Sequence, residues 1–221
     1  MTGAVVAAAL TSLAAGIAGA GPAPAQQGLT RDQVVMVLAA ATAQAPADFS
    51  GKDLSGLDLS GIDFKRANLS RCRLVKTNLA KAQLFSVTLS DAVATEADFT
   101  AAQLDASVMY RVDMRHAILR DASLFAVIAY DADFSDADLT GARIISPMSH
   151  ARFARATLSH ANLGADPGNQ SMGVMRTDAS GADFTGANLS SANLRKAAQH
   201  PRPGLDPRAR PGGSCRSGGL Q

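Results

Sequence analysis

Ala132-Asp133-Phe134-Ser135-Asp136-Ala137-Asp138-Leu139-Thr140-Gly141 contains one five-residue phrase twice: small, acidic, large apolar, then two corner residues. Carried outward in steps of five, the same beat runs from Phe49 to Ile144, and 18 of those 20 central positions hold Leu, Phe, Met or Ile. Only Ala94 and Ala129 are small. Two residues before each centre the side chain is usually small or apolar, as at Ala67, Cys72, Ala82, Ala97, Ala117 and Ala142, and the residue between is often Asp, Asn or Gln. A helix repeats at roughly 3.6 residues and a flat strand at about 2, so a strict beat of five describes a repeated turn of chain with its own geometry.

Within a unit, small-in, polar-out, large-in marks three extended residues, and Ser, Thr, Gly, Lys or Arg at the last two positions supply a corner. Such runs resemble the pentapeptide-repeat family, whose pattern is A(D/N)LXX, over about half of the chain. The resemblance implies an all-β fold, a right-handed quadrilateral β-helix with four pentapeptides to the coil. Residues 20 apart, such as Arg71 and Asp91, then lie one strand spacing above each other, roughly 4.8 Å, where opposite charges attract and like charges repel. The second corner position reads Arg71, Asp91, Arg111, Asp131 up one column and Lys76, Glu96, His116, Asp136 up the next, alternating in sign with His116 counted as a cation. After Ile144 the frame slips by one residue to Met148, Phe153, Leu158 and Leu163, with Pro147 at the joint, and the columns continue into His150 and Arg155. Each exposed pair contributes a few tenths of a kcal/mol, so the ladders mark register, while stability comes from the stacked interior at about 25 cal/mol per Å².

The frame is lost across a turn-rich loop, 164–173, and returns at Phe184, Leu189 and Leu194, with Val174 and Ala179 as weaker centres before them. This gives 27 to 29 units, about seven coils, and a rod on the order of 30 Å long. Ahead of the repeats, Thr30 and Gln33 form a capping box, and Val34, Val37, Leu38, Ala41 and Ala45 mark one helical face before Pro46. A short helix there covers an end that otherwise presents apolar core and unpaired backbone. From Arg195 onward six Lys or Arg face one Asp without periodicity, which predicts a disordered basic tail.

The first 25 residues carry a separate message. Ala4 to Ala20 is apolar, too short at 17 residues to span a bilayer comfortably, and is followed by Ala23-Pro24-Ala25, an Ala-x-Ala processing pattern. This segment reads as a secretory signal peptide, although Met1-Thr2-Gly3 offers only the terminal amine as positive charge. The chain therefore divides into a signal peptide (1–25), a linker and capping helix (26–47), a repeat solenoid (48–163), a loop (164–173), further repeats (174–196) and a tail (197–221). The expected location is periplasmic or secreted, with no membrane span in the mature chain; the alternative is cytoplasmic.

Cys72 sits at an inward position that wants a small apolar side chain, and Cys215 lies in the tail, so no disulfide framework is expected. The regularly spaced Asp residues point outward and read as solvation of a β surface. His150 and His160 fall on opposite sides of the coil, so no shared metal ion is expected, and no catalytic constellation or cofactor site is evident. The sequence predicts a non-enzyme that acts through its surface. The best-known activity in the family it resembles is mimicry of duplex DNA by an acidic rod that binds a type II topoisomerase. From Asp48 to Leu163 there are 14 Asp or Glu against 13 Lys or Arg, which disfavours that reading, and nucleic acid itself is not an expected partner.

One surface feature is sharper. On the face centred on Met109 and Ala129 the outward residues are Val108, Tyr110, Ile128 and Tyr130, where earlier coils carry Asp48, Ser50, Asn68, Ser70, Thr88 and Ser90, and Phe125 and Ile145 stand just around the corner. Val108, Tyr110, Phe125, Ile128 and Tyr130 form the candidate patch for a protein partner or for self-association.

Overall fold

The computed structural model describes residues 28–165, 176–195 and 197. The signal segment 1–25, the centre at Val174, the loop beyond Ala165 and the tail beyond Ala197 lie outside the described residues. Within them, every unit makes one parallel bridge at its outward residue. Asp48 pairs with Asn68, Asp53 with Arg73, Asp58 with Asn78 and Asp63 with Gln83, which defines four faces and a coil of 20 residues. Two bonds carry each bridge. The Phe49 N–H donates up to the Asn68 carbonyl (2.8 Å), and the Asn68 N–H donates down to that of Ala47 (2.8 Å).

The centres stack in columns inside this square. One holds Phe49, Leu69, Leu89, Met109, Ala129, Met148 and Ala179; the next holds Leu54, Leu74, Ala94, Met114, Phe134, Phe153 and Phe184. Through Leu163 these side chains are at most 1% exposed, and Phe134, Phe153 and Phe184 stack nearly parallel at 5.1 and 4.9 Å. The small inward position tolerates a hydroxyl or thiol because the centre carbonyl one coil below accepts from it. Thr77 Oγ1 donates to Leu54 O (2.9 Å) and Cys72 Sγ to Phe49 O (2.8 Å), while Ser146 and Thr177 donate to Leu124 O and Ile144 O. Burial pushes the Cys72 thiol up to about 11, so it stays protonated and inert.

Corners are tight turns. The Cys72 N–H donates to Leu69 O (3.2 Å) and Arg71 between them has φ +57°, the sign pattern of a type II turn. Lys76, Asp91, Glu96, Arg111, His116 and Asp136 share this left-handed conformation, at a cost of roughly 1–2 kcal/mol per non-glycine residue. It persists because it aims the corner N–H at the next coil, as from Arg71 to Ser90 O (2.9 Å).

The outward Asp and Asn residues do more than solvate a surface. Ser50, Ser55, Lys65, Thr100, Ser135, Thr185 and Ser190 each donate their main-chain N–H to the carboxylate or amide oxygen two residues earlier, at 2.8 to 3.0 Å. These are Asx turns, which is why that position favours Asp or Asn over other polar residues.

Two irregularities share one corner. The register is 20 from Asp113 to Asp133, 19 from Asp133 to Arg152 and 31 from Arg152 to Asp183. The slip falls after Ile144, where the corner loses its left-handed residue and the chain runs on as an extended segment. β1 (Ser123–Phe125) and β2 (Arg143–Ile145) pair there in parallel, Phe125 against Ile145. As a result Ile145 is 1% exposed, which corrects the expectation that it stands outside with Phe125. The insertion behind the 31-residue register leaves one coil higher at the same corner, after Leu163, which stacks on Ile144.

At the N-terminal end, α1 (Arg31–Ala40) starts with both bonds of the capping box and buries Val34 and Leu38. Its Arg31 guanidinium donates to the Asp58 carbonyl, and Lys65 Nζ donates to the Leu38 carbonyl (3.2 Å). The apolar face is shorter than the sequence implies. The chain turns extended at Ala41 (φ −71°, ψ 144°), so Ala45 is exposed, closing a turn with Thr42 instead.

Candidate interaction surface

The face carrying the candidate patch changes chemistry part-way up. Its bridged outward column runs Asp48, Asn68, Thr88, Val108, Ile128, and the position just past each centre runs Ser50, Ser70, Ser90, Tyr110, Tyr130. The first three coils are therefore polar and the next two apolar. Parallel in-register stacking brings the two tyrosines together, with ring centroids 5.7 Å apart and planes tilted by 43°. Tyr130 is 36% exposed, while Val108, Tyr110 and Ile128 are half-buried by their neighbours.

Phe125 lies around the corner and is also half-buried, because the Arg143 guanidinium, one coil above in β2, sits 4.2 Å from its ring centroid. Asp105, one coil below, anchors the same corner by accepting from Ser123 Oγ (2.5 Å) and from the Phe125 N–H (3.0 Å). Ala106 and Ala126 take the left-handed corner positions here, both at φ +57°. Corresponding sites on the next edge carry Arg111 and Asp91, locked to each other at 2.7 and 2.9 Å. The patch is thus an apolar and aromatic surface whose corner is flanked by Arg143 and Asp105, with the Arg111–Asp91 pair on the next edge.

Sequence reasoning missed Phe85. It lies in the same column as Phe125, two coils lower, and at 58% exposure is more open than any residue of the predicted patch. Its signal was an aromatic at the first corner position, where Lys65 and Asp105 stand in neighbouring coils. Elsewhere, Leu163, Thr177, Ala179, Phe184, Leu189, Leu194 and Ala197 line a depression of about 160 Å³ at the C-terminal end, with no titratable side chain among them. No group of three or more His, Cys, Asp or Glu converges among the described residues, and no described helix is long and apolar enough to cross a membrane.

Stacked parallel bridges around a solid apolar interior define a β-solenoid repeat protein. The family model of pentapeptide repeats matches in 8 copies over residues 47–83, 82–121, 117–145 and 176–198, and the chain belongs to that family, whose members fold as right-handed quadrilateral β-helices. Among solved structures it is similar to HetL, a pentapeptide-repeat protein involved in heterocyst differentiation regulation in the cyanobacterium Nostoc. That likeness has 30% identity over 68% of this chain and 75% of HetL, with TM-score 0.34. A pentapeptide-repeat protein of the Arabidopsis thaliana thylakoid lumen shares 27% identity over 67% of this chain and 69% of its own, with TM-score 0.22. QnrB1, a plasmid-mediated fluoroquinolone resistance protein, shares 17% over 69% and 79%, with TM-score 0.35. A search of curated proteins finds no match.

Proposed function

We propose that this chain is a non-catalytic, exported pentapeptide-repeat protein that acts as a protein-interaction or structural surface. The observation that carries the reading is the switch from Asp, Asn, Thr and Ser to Val108, Ile128, Tyr110 and Tyr130 on one face of an otherwise polar rod. Phe125 extends that surface around the corner, and Phe85 stands apart from it, two coils lower beyond Asp105. Contiguous apolar and aromatic side chains of this kind serve contact with another protein, a second copy included. The leader favours a periplasmic or secreted location with a mature start at Gln26.

The competing reading is a cytoplasmic, DNA-mimicking topoisomerase binder. Mimicry of duplex DNA needs a dense anionic field, whereas carboxylates and cations are nearly equal in number here and several pair across adjacent coils, as in Asp91 with Arg111 and Glu96 with Lys76.

Pull-down and light scattering on the Tyr110→Ser/Tyr130→Ser double variant test the surface. A folded variant that loses partner capture or self-association supports the patch; a folded variant with unchanged association removes it. Cell fractionation with mass measurement of the mature chain tests export. An intact Met1 in the cytoplasm would favour the topoisomerase reading.

A further inference from the structure

The apolar columns hold a chain that folds to one register, yet they cannot select it. Leu, Phe or Met at nearly every centre lets any coil sit acceptably on any other. Charge supplies what the core lacks. The second coil, 67–86, carries Arg71, Arg73, Lys76 and Lys81 and no acid, and the third, 87–106, carries Asp91, Glu96, Asp98 and Asp105 and no Lys or Arg. The fourth, 107–126, turns cationic again with Arg111, Arg115 and Arg120 against Asp113 and Asp121. Asp131, Asp133, Asp136 and Asp138 dominate the fifth against Arg143; the sixth has Arg152, Arg155, His150 and His160 without an acid. The two end coils are mixed: 47–66 carries Asp48, Asp53, Asp58 and Asp63 against Lys52, Lys65 and Arg66, and 176–195 carries Asp178 and Asp183 against Arg176 and Arg195.

Most ion pairs obey the same order, an exception being Arg115–Asp113 (2.8 Å) within the fourth coil. Arg73–Asp53 (3.6 Å), Lys76–Glu96 (3.4 Å), Arg111–Asp91 (2.7 Å), Arg120–Asp138 (2.5 Å) and Arg155–Asp136 (2.5 Å) each join adjacent coils. From the second coil to the sixth, alternation therefore belongs to the net charge of each ring and not only to two columns. We propose that these rings of alternating charge select the stacking register of the solenoid. A slip of one coil lays like on like at the corner columns, Arg71 under Arg111, Asp91 under Asp131 and Glu96 under Asp136. A slip of two coils restores the signs but must extrude twice the length of chain, which loop entropy and lost burial oppose.

The full-length Arg71→Glu/Lys76→Glu variant is the first test. Both sites are exposed left-handed corners, a conformation Glu96 already adopts, and the two new carboxylates lie directly beneath those of Asp91 and Glu96. Its melting temperature should fall by a few degrees at low salt and match the parent at about 1 M salt. An unchanged melting temperature at low salt overturns the proposal.

Two frame-preserving excisions then test parity. Removing 107–126 joins Ala106 to Val127 and lays Asp91 and Glu96 beneath Asp131 and Asp136. Removing 87–126 joins Ser86 to Val127 and lays Arg71, Arg73 and Lys76 beneath Asp131, Asp133 and Asp136. Burial alone ranks the larger excision as the less stable. Charge rings invert that order at low salt and release it at high salt. If the larger excision melts lower at both ionic strengths, the proposal fails; if either excision does not fold, the full-length variant decides.

Discussion

The two ends of the rod differ more than any two coils within it. At the N-terminal end, α1 lays Val34 and Leu38 over the first coil, and Arg31 and Lys65 stitch helix to solenoid through main-chain carbonyls. At the C-terminal end Phe184, Leu189 and Leu194 stay half-exposed around a shallow depression, and the main-chain N–H groups of Phe184 and Leu189 have no partner among the described residues. Coils inside the rod satisfy one another, so each repeat needs a neighbour above and below. The contrast teaches that a repeat sequence encodes its interior with every unit but its ends only once, by whatever segment covers them.

Truncating the same residue type along the rod should break this contrast most visibly. Leu119→Ala, at a fully buried centre, should cost about 3–5 kcal/mol, Leu38→Ala under the helix about 2–3, and Leu189→Ala at the half-exposed end about 1, read by urea denaturation. Equal losses at Leu38 and Leu189 would mean that the two ends are equally covered in solution. Hydrogen exchange gives a second view. Amides of Phe184 and Leu189 should exchange at least about ten-fold faster than those of Leu54 and Leu59, which donate to the coil above at 2.8 and 2.7 Å.

Acid should act preferentially on the capped end. Hydrogen bonds from Ser50, Ser55 and Ser60 hold the carboxyls of Asp48, Asp53 and Asp58 below their ordinary range, and Thr185 does the same for Asp183. In each case the unfolded chain binds the proton more readily. The stabilisation is therefore present above the unfolded carboxylate range near about pH 4 and is lost as pH falls through the depressed folded values. Asp48→Asn/Asp53→Asn/Asp58→Asn keeps the Asx turns, so it should flatten the acid arm of a melting-temperature profile more than Asp183→Asn does. The smallest effect concerns backbone alone. Gly51→Ala has φ +69° and no atom within 4 Å of the new methyl, so it should cost only about 1 kcal/mol of left-handed strain.

Much of this could be seen before any coordinates. The beat of five placed every centre from Phe49 to Leu163 and its one-residue slip, the family resemblance implied the 20-residue register with which the charge columns agreed, and Thr30 with Gln33 gave the start of α1. These are signals carried by nearest neighbours in sequence or by strict periodicity. The candidate surface was only partly legible. The Tyr110–Tyr130 contact follows from register, but the shielding of Phe125 by Arg143 and the greater exposure of Phe85 depend on how long side chains lie across a corner.

The sequence by itself determined the repeat, the inward and outward sets and the alternation of charge, because each depends only on spacing along one chain; the coil length came from the family resemblance. Tertiary structure alone decided that Ile145 turns inward and that the slip and the insertion leave from one corner. It likewise decided that the outward carboxylates bind main-chain N–H groups, and how fully each end is covered. Those outcomes depend on which atoms meet across neighbouring coils, and a period of five is the same whichever atoms meet there.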